Sequence, residues 1–257
     1  MTSRTPLPGI ILALASLAAA APESRPAPEI MVYAATSLRD VLQEMTPACE
    51  KATAVHLVFN FGASNDLARQ IEAAHKADVF FSADESWMDK VATAGLVDAT
   101  SRRVLLSNRL VVVGAPDVSY PVGSAADLAR APAKFISLAN PDAVPAGKYA
   151  KAWLESQGQW AAVQPRVLPG VDVRAALAAV QAGAAELGIV YSTDAALAPQ
   201  LRVLYTVPDD EGPRIRYVVA ALQDRPHLEA ARAVVAWTAG AEARAVFQRF
   251  GFIVLES

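Results

Sequence analysis

What this chain lacks excludes much. One cysteine, Cys49, stands among 257 residues, so no internal disulfide forms and no thiolate metal cage is available. The three histidines, His56, His75 and His227, are scattered and none has a partner at ligand spacing, which argues against a zinc or iron site. Lys and Arg total 23 against 26 Asp and Glu, a net charge of −3 with no long basic run, so no nucleic-acid partner is expected. No G-x-S-x-G elbow occurs and no histidine lies in the serine-bearing motifs, which leaves a serine nucleophile at Ser37 or Ser64 without a base. No fixed-period repeat or low-complexity linker interrupts the chain beyond its first residues. After those residues no apolar run is long enough to span a bilayer.

The N-terminal segment itself, "MTSRTPLPGIILALASLAAAAPES", places Arg4 before an apolar run from about Ile10 to Ala21 and then small residues. This is the pattern of a secretory signal. Cleavage is expected near Ala20, with residues 1–20 removed and the mature chain exported. Cys49 lies far from this segment, within a helical stretch, and reads as a small packing residue.

From residue 29 onward, strand patterns alternate with helix patterns. "EIMVYAAT", "VHLVFNFG", "ADVFFSAD", "RLVVVGAP", "KFISLAN", "ELGIVYS" and "RIRYVVAAL" read as strands. Helical stretches lie among them, and two more close the chain. Such alternation predicts an α/β fold with mostly parallel sheet, because parallel strands need crossover helices. Ligands in such folds sit at the carboxyl ends of strands, where helices begin.

The strand-to-helix junctions share a chemistry. "YAATSLRD" turns through Thr36 and Ser37, and "FGASNDL" through Gly62, Ala63 and Ser64. "VPAGKY" places Pro145 at a first helical position, which makes Val144 the cap, and valine carries no acceptor. The N–H groups of Ala146 and Gly147 are thus left without a local partner. "PGVDVRAAL" enters its helix near Asp172 and Val173. Helix N-termini combine free donors with the positive end of the helix dipole, so each is a candidate anion site. Taken singly, Ser37 and Ser64 read as helix caps, Tyr191 as a core aromatic, and Ala146 and Gly147 as solvent-facing. Asp172 reads as a cap of its own helix or the partner of a cation. Arg39, Lys148 and Arg174, two or three positions into helices, are expected to extend to solvent.

These junctions carry a resemblance. "AATSL", "LARQIEA", "ADVFFSADESWMD", "LLSNRLVVV", "VPAGKYAKAWLE", "VDVRAALAAVQ", "LGIVYSTDA" and "FQRFGF" together resemble the periplasmic molybdate-binding proteins, the soluble receptors of molybdate ABC importers, from about residue 30 to 253. The resemblance implies a type II periplasmic-binding-protein fold, two α/β lobes joined by a two-strand hinge. One lobe would hold 29–108 plus 219–257 and the other 109–218. It implies a molybdate ligand, with tungstate equally acceptable, bound by Ser37, Ser64, Ala146, Val173 and Tyr191. Ser37 and Ser64 would give hydroxyl and backbone donors, Ala146 and Val173 backbone N–H groups, and Tyr191 its phenol. It implies no cofactor, no catalysis, a monomer in the periplasm and a membrane permease as partner, met through surface carboxylates such as Glu85, Asp89 or Glu155. One departure is Ala63, where family members often carry serine. A receptor for another tetrahedral oxyanion, tungstate-selective or for sulfate, is the competing binding function, and a secreted serine hydrolase the competing enzyme.

Overall fold

The computed structural model describes residues 27–256, so the expected signal segment at residues 1–20 lies outside the described residues. Among the described residues, eleven strands and ten α-helices, numbered in chain order, form two sheets with helices packed on them. The first half runs β1 (Glu29–Ala35), α1 (Arg39–Thr53), β2 (His56–Gly62), α2 (Ser64–Ala74), β3 (Val79–Ser82), α3 (Glu85–Thr93) and β4 (Arg103–Ser107). The next stretch is β5 (Leu110–Gly114), α4 (Ala125–Arg130), β6 (Ile136–Ala139), α5 (Pro145–Ser156), α6 (Trp160–Val163), β7 (Val167–Gly170) and α7 (Val173–Gln181). It continues as β8 (Leu187–Tyr191), α8 (Ser192–Ala195) and β9 (Arg202–Thr206). The chain closes with β10 (Tyr217–Ala221), α9 (Leu228–Thr238), α10 (Ala241–Arg249) and β11 (Ile253–Val254).

One sheet has the order β11-β4-β10-β3-β1-β2 and the other β7-β6-β8-β5-β9. The result is the two-lobed α/β architecture expected. The chain leaves the first sheet after Ser107, enters the second at Leu110, and returns between Thr206 and Tyr217. Tyr217 and Val218 already pair within the first sheet, so the return ends ahead of the 218 boundary read from the sequence.

The sheets are mixed rather than mostly parallel. β1 pairs in parallel with β2 and β3, and β6 with β7 and β8. β10 runs antiparallel to β3 and β4, β11 to β4, and β5 to β8 and β9. The physical reason is local. β5 and β10 each arrive from the other sheet without a crossover helix of their own, so nothing forces a parallel direction.

The parallel pairs place the helix starts. Ala35 lies opposite Gly62 in the β1–β2 register, so α1 and α2 begin side by side. Ala139 lies opposite Gly170 in the β6–β7 register, and α5 and α7 begin side by side. Both sets of helix starts face the gap between the sheets. The C-terminal helices pack over α1 on the first sheet. They are anchored by edge-on rings: Phe81 with Phe247, Phe247 with Phe252, and Phe252 with Tyr217, at centroid distances of 6.3, 5.9 and 5.6 Å. Cys49 is buried in this layer among apolar side chains, and burial pushes its thiol up to about 11, as suits an inert packing residue.

Candidate ligand-binding site

Between the sheets lies a cavity lined by Ser37, Ser64, Ala146, Val173 and Tyr191, together with the backbone turns beside them. All five residues singled out from the sequence line this one space. It is small, about 20 Å³, which admits a compact group of a few atoms and excludes a sugar or a peptide side chain. A larger open groove of about 240 Å³ lies at the crossings, lined by Asn108, Arg109, Arg214 and Arg216 among others, and no helix begins in it.

Four helix starts converge on the small cavity, and three lack a side-chain cap. Ala35 precedes the short 3-10 turn at Thr36–Leu38, Ala63 precedes α2 and Val144 precedes α5, and none offers an acceptor. In α5 the first intrahelical bond runs from Lys148 N–H to the Val144 carbonyl, so the N–H groups ahead of it have no helical partner. Of the two left bare at that turn, Ala146 lines the cavity and Gly147 does not. Gly147 has a different reason to be glycine. A Cβ there would come within 2.0 Å of the Ala139 carbonyl oxygen, so only glycine lets α5 close down on the end of β6.

The fourth start is capped, as expected. Asp172 Oδ1 accepts from Ala175 N–H at 2.8 Å, and Oδ2 accepts from the Thr36 hydroxyl at 3.3 Å. With both oxygens engaged, this carboxylate is turned to its own helix and to the first sheet, and the N–H groups of Val173 and Arg174 remain ahead of the first intrahelical bond.

Ser37 and Ser64 are not caps. Ser64 Oγ accepts the Ala83 N–H at 3.0 Å, and Ser37 Oγ lies 3.1 Å from the Tyr217 hydroxyl. Both serines are almost fully buried. Tyr191 ends β8 with its ring against Tyr217, and its buried hydroxyl has no hydrogen-bond partner among the described residues. Burial holds the Tyr191 phenol well above its ordinary range, so it stays protonated and presents a donor. A buried hydroxyl left unpaired costs about 1–3 kcal/mol, which marks a position built for something else to fill.

The cations near these turns are spent elsewhere. Arg39 lies over the Phe61 ring at 4.9 Å. Lys148 and Arg174 do not extend to solvent, contrary to their reading from sequence. Lys148 Nζ reaches Asp84 Oδ2 at 2.9 Å and Ser86 Oγ at 2.6 Å, on the first sheet's side. Arg174 bridges Asp40 of α1 and the fully buried Asp194. None of the three lines the cavity. Lys148 and Arg174 turn inward because carboxylates from the opposite half lie within reach, which the sequence around a helix start does not reveal. Trp87 adds a bond across the same gap, from Nε1 to the Ala143 carbonyl at 2.9 Å. Among the described residues, no cluster of His, Cys, Asp and Glu could hold a metal ion.

Neutral donors, with one carboxylate, Asp172, whose oxygens are both engaged, thus line a small space between two sheets. The family of bacterial extracellular solute-binding proteins matches residues 30–253. The chain belongs to this family. The molybdate-binding protein ModA of Escherichia coli is 37% identical to this solute-binding protein over 234 residues, 88% of this chain and 89% of the relative. The solved structure of the Azotobacter vinelandii periplasmic molybdate-binding protein superposes with a TM-score of 0.78 at 22% identity, covering 88% of this chain and 100% of the other. The sulfate-binding protein SubI of Mycobacterium tuberculosis superposes with a TM-score of 0.76 at 18% identity, covering 88% and 86%. At those identities the two structures speak for the fold alone. Since their named anions differ, the fold does not choose the solute and the site must.

Proposed function

We propose that this protein is the soluble receptor of an ABC importer for molybdate, with tungstate accepted equally, and that the oxyanion sits in the small cavity. Ser37 and Ser64 donate hydroxyl hydrogens, Ala146 and Val173 donate backbone N–H, and Tyr191 donates its phenol. The observation that carries this reading is the Tyr191 hydroxyl: buried, protonated and without a partner, beside helix starts that lack caps. A tetrahedral dianion offers only acceptors, and hydrogen bonds to an ionised oxygen are about twice as strong as neutral ones. Fixed dipoles in a dry cleft then replace the ion's lost hydration. The names of the curated relatives support the choice of molybdate over sulfate.

The receptor works in the periplasm as a monomer, without cofactor and without catalysis. The lobes are 29–108 with 217–257, and 109–216, hinged where the chain passes between sheets. Ligand contacts from both lobes favour closure, and the membrane permease recognises the closed shape. Of the carboxylates considered for docking, Glu85 faces Arg216 at 3.6 Å and Asp89 pairs with Arg102 at 2.7 Å, which leaves Glu155 as the candidate without such a partner among the described residues. A hydrolase built on Ser37 or Ser64 has no base, since these hydroxyls meet Tyr217 and a backbone N–H.

Titration calorimetry with molybdate, tungstate and sulfate tests the reading. Molybdate and tungstate should bind alike and sulfate far more weakly, and sulfate binding as tight as molybdate would overturn it. At about 100 times its dissociation constant, molybdate should stabilise the fold by about 2.7 kcal/mol.

A further inference from the structure

The two serines of the cavity differ in how their hydrogens are directed. Ser64 is simple: a backbone N–H occupies its oxygen, so its own hydrogen is free to turn to the cavity. Ser37 faces another hydroxyl, that of Tyr217, and either oxygen can be the donor. A buried chain of side chains settles the direction.

The chain starts at Asn108, where the polypeptide first crosses between sheets. The Arg109 N–H, which can only donate, reaches Asn108 Oδ1 at 2.9 Å, and the Ser192 hydroxyl donates to the same oxygen at 2.9 Å. This fixes which end of the amide is oxygen. The other end, Nδ2, can only donate, and it faces Thr193 Oγ1 at 2.9 Å and Tyr217 Oη at 3.4 Å. The Tyr217 oxygen therefore receives a hydrogen, and its own hydrogen needs an acceptor. Ser37 Oγ is the acceptor in place. In the reverse arrangement Tyr217 would receive two hydrogens and bury its own unpaired, at the cost of an unsatisfied donor.

We propose that Asn108 and Tyr217 act as a relay that turns the Ser37 hydrogen toward the cavity, and so make the site reject tetrahedral anions that carry a proton. The proposal rests on the oxyanion reading above and assigns positions to two residues that do not line the cavity. With Ser37 and Ser64 both presenting hydrogens, and the Thr36 hydrogen committed to Asp172, a protonated ligand oxygen meets hydrogen against hydrogen. Hydrogen phosphate carries such a proton at every pH near neutrality, and molybdate does not. Asn108 and Tyr217 stand at the two crossings, and the relay bonds to Thr193 on one side and Ser37 on the other. The Ser37 hydrogen is thus directed where the two halves meet.

Two variants test this, each read as the ratio of molybdate to phosphate affinity by calorimetry, with competition where phosphate binds weakly. Tyr217→Phe removes the hydrogen given to Ser37, whose hydroxyl is then free to present a lone pair. Molybdate should weaken by roughly tenfold and phosphate by less, so the ratio should fall severalfold. Asn108→Asp keeps the shape and reverses the relay: the aspartate accepts from Tyr217, Tyr217 accepts from Ser37, and Ser37 shows its lone pair to the ligand. The ratio should fall further than in Tyr217→Phe. The added negative charge by itself repels both anions alike, so the fall in ratio reports the reversed relay and not the charge. An unchanged ratio in Tyr217→Phe overturns the relay, whether or not Asn108→Asp folds. Wild-type protein that fails to bind molybdate overturns the oxyanion reading itself, a result separate from a wild type that binds and a variant whose ratio does not move.

Discussion

The lining of the cavity and its rim are built from opposite kinds of group. The lining offers uncharged donors, bare helix starts, two serines and a phenol, and its one carboxylate, Asp172, has both oxygens engaged by Ala175 N–H and the Thr36 hydroxyl. The rim carries full charges, and each is matched by a carboxylate from the other half, Lys148 by Asp84 and Arg174 by Asp40. A bare cation in the cavity would hold any anion, whereas neutral donors at fixed spacing respond to size and protonation. The rim charges instead act between the halves, where a partly exposed pair contributes only about 0.2–1 kcal/mol. That is enough to bias closure and too little to hold the protein shut without a ligand.

The comparison breaks first at Tyr191. Tyr191→Phe removes a donor that has no other use, so affinity for molybdate should fall about 10- to 100-fold by calorimetry, the worth of a hydrogen bond to a charged group. The ligand-free protein should melt no lower than wild type and about 1 kcal/mol more stable at most, because an unpaired buried hydroxyl has gone. Unaltered affinity would remove the phenol from the site.

A second contrast sets lining directly against rim. Ala146→Pro deletes one N–H at the start of α5 and should weaken molybdate by about tenfold. Lys148→Ala, two residues on, breaks the pair with Asp84 and should cost no more than about threefold. Equal losses would reverse the assignment and give the cation the ligand's charge to hold.

The smallest effect concerns Asp194, buried behind the rim. Burial pushes its carboxyl up to about 6, against the pull of Arg174. The folded state therefore holds this proton more tightly than the unfolded chain. Its contribution to stability is present at acid pH and is lost as pH rises from the ordinary carboxylate range through about 6. Asp194→Asn should remove that component, so urea midpoints measured between about pH 4 and 6.5 should fall less with rising pH than in wild type. Identical slopes would mean that Arg174 keeps the carboxylate ionised throughout.

Much of the fold was legible because it is local. Strands whose two faces are both buried, such as β3, β5, β6, β8 and β10, read directly from their apolar runs. The strands that were missed are mostly at edges. β7 carries Pro169 and lies at one end of its sheet, β9 is largely exposed at the other, and β11 has two residues. An edge strand tolerates proline and polar residues because one side of it pairs with nothing. In the candidate site, Ser37, Ser64, Ala146, Val173 and Tyr191 were legible from helix-start signals together with a family resemblance. Asn108 and Tyr217 were not. They stand 109 residues apart, and their joint role depends on which atom of each faces the other.

The sequence by itself determined the alternation of strands and helices and the uncapped start at Val144. These are properties of a few neighbouring residues, whose backbone preferences and free N–H groups do not wait on the rest of the chain. Only the tertiary structure decided that four helix starts meet at one small cavity, that Lys148 and Arg174 turn across the gap instead of to solvent, and that Asn108, Tyr217 and Ser37 lie in one chain of contacts. Each of those outcomes depends on groups far apart in the chain, brought within hydrogen-bond distance only once strand order and the two crossings are set.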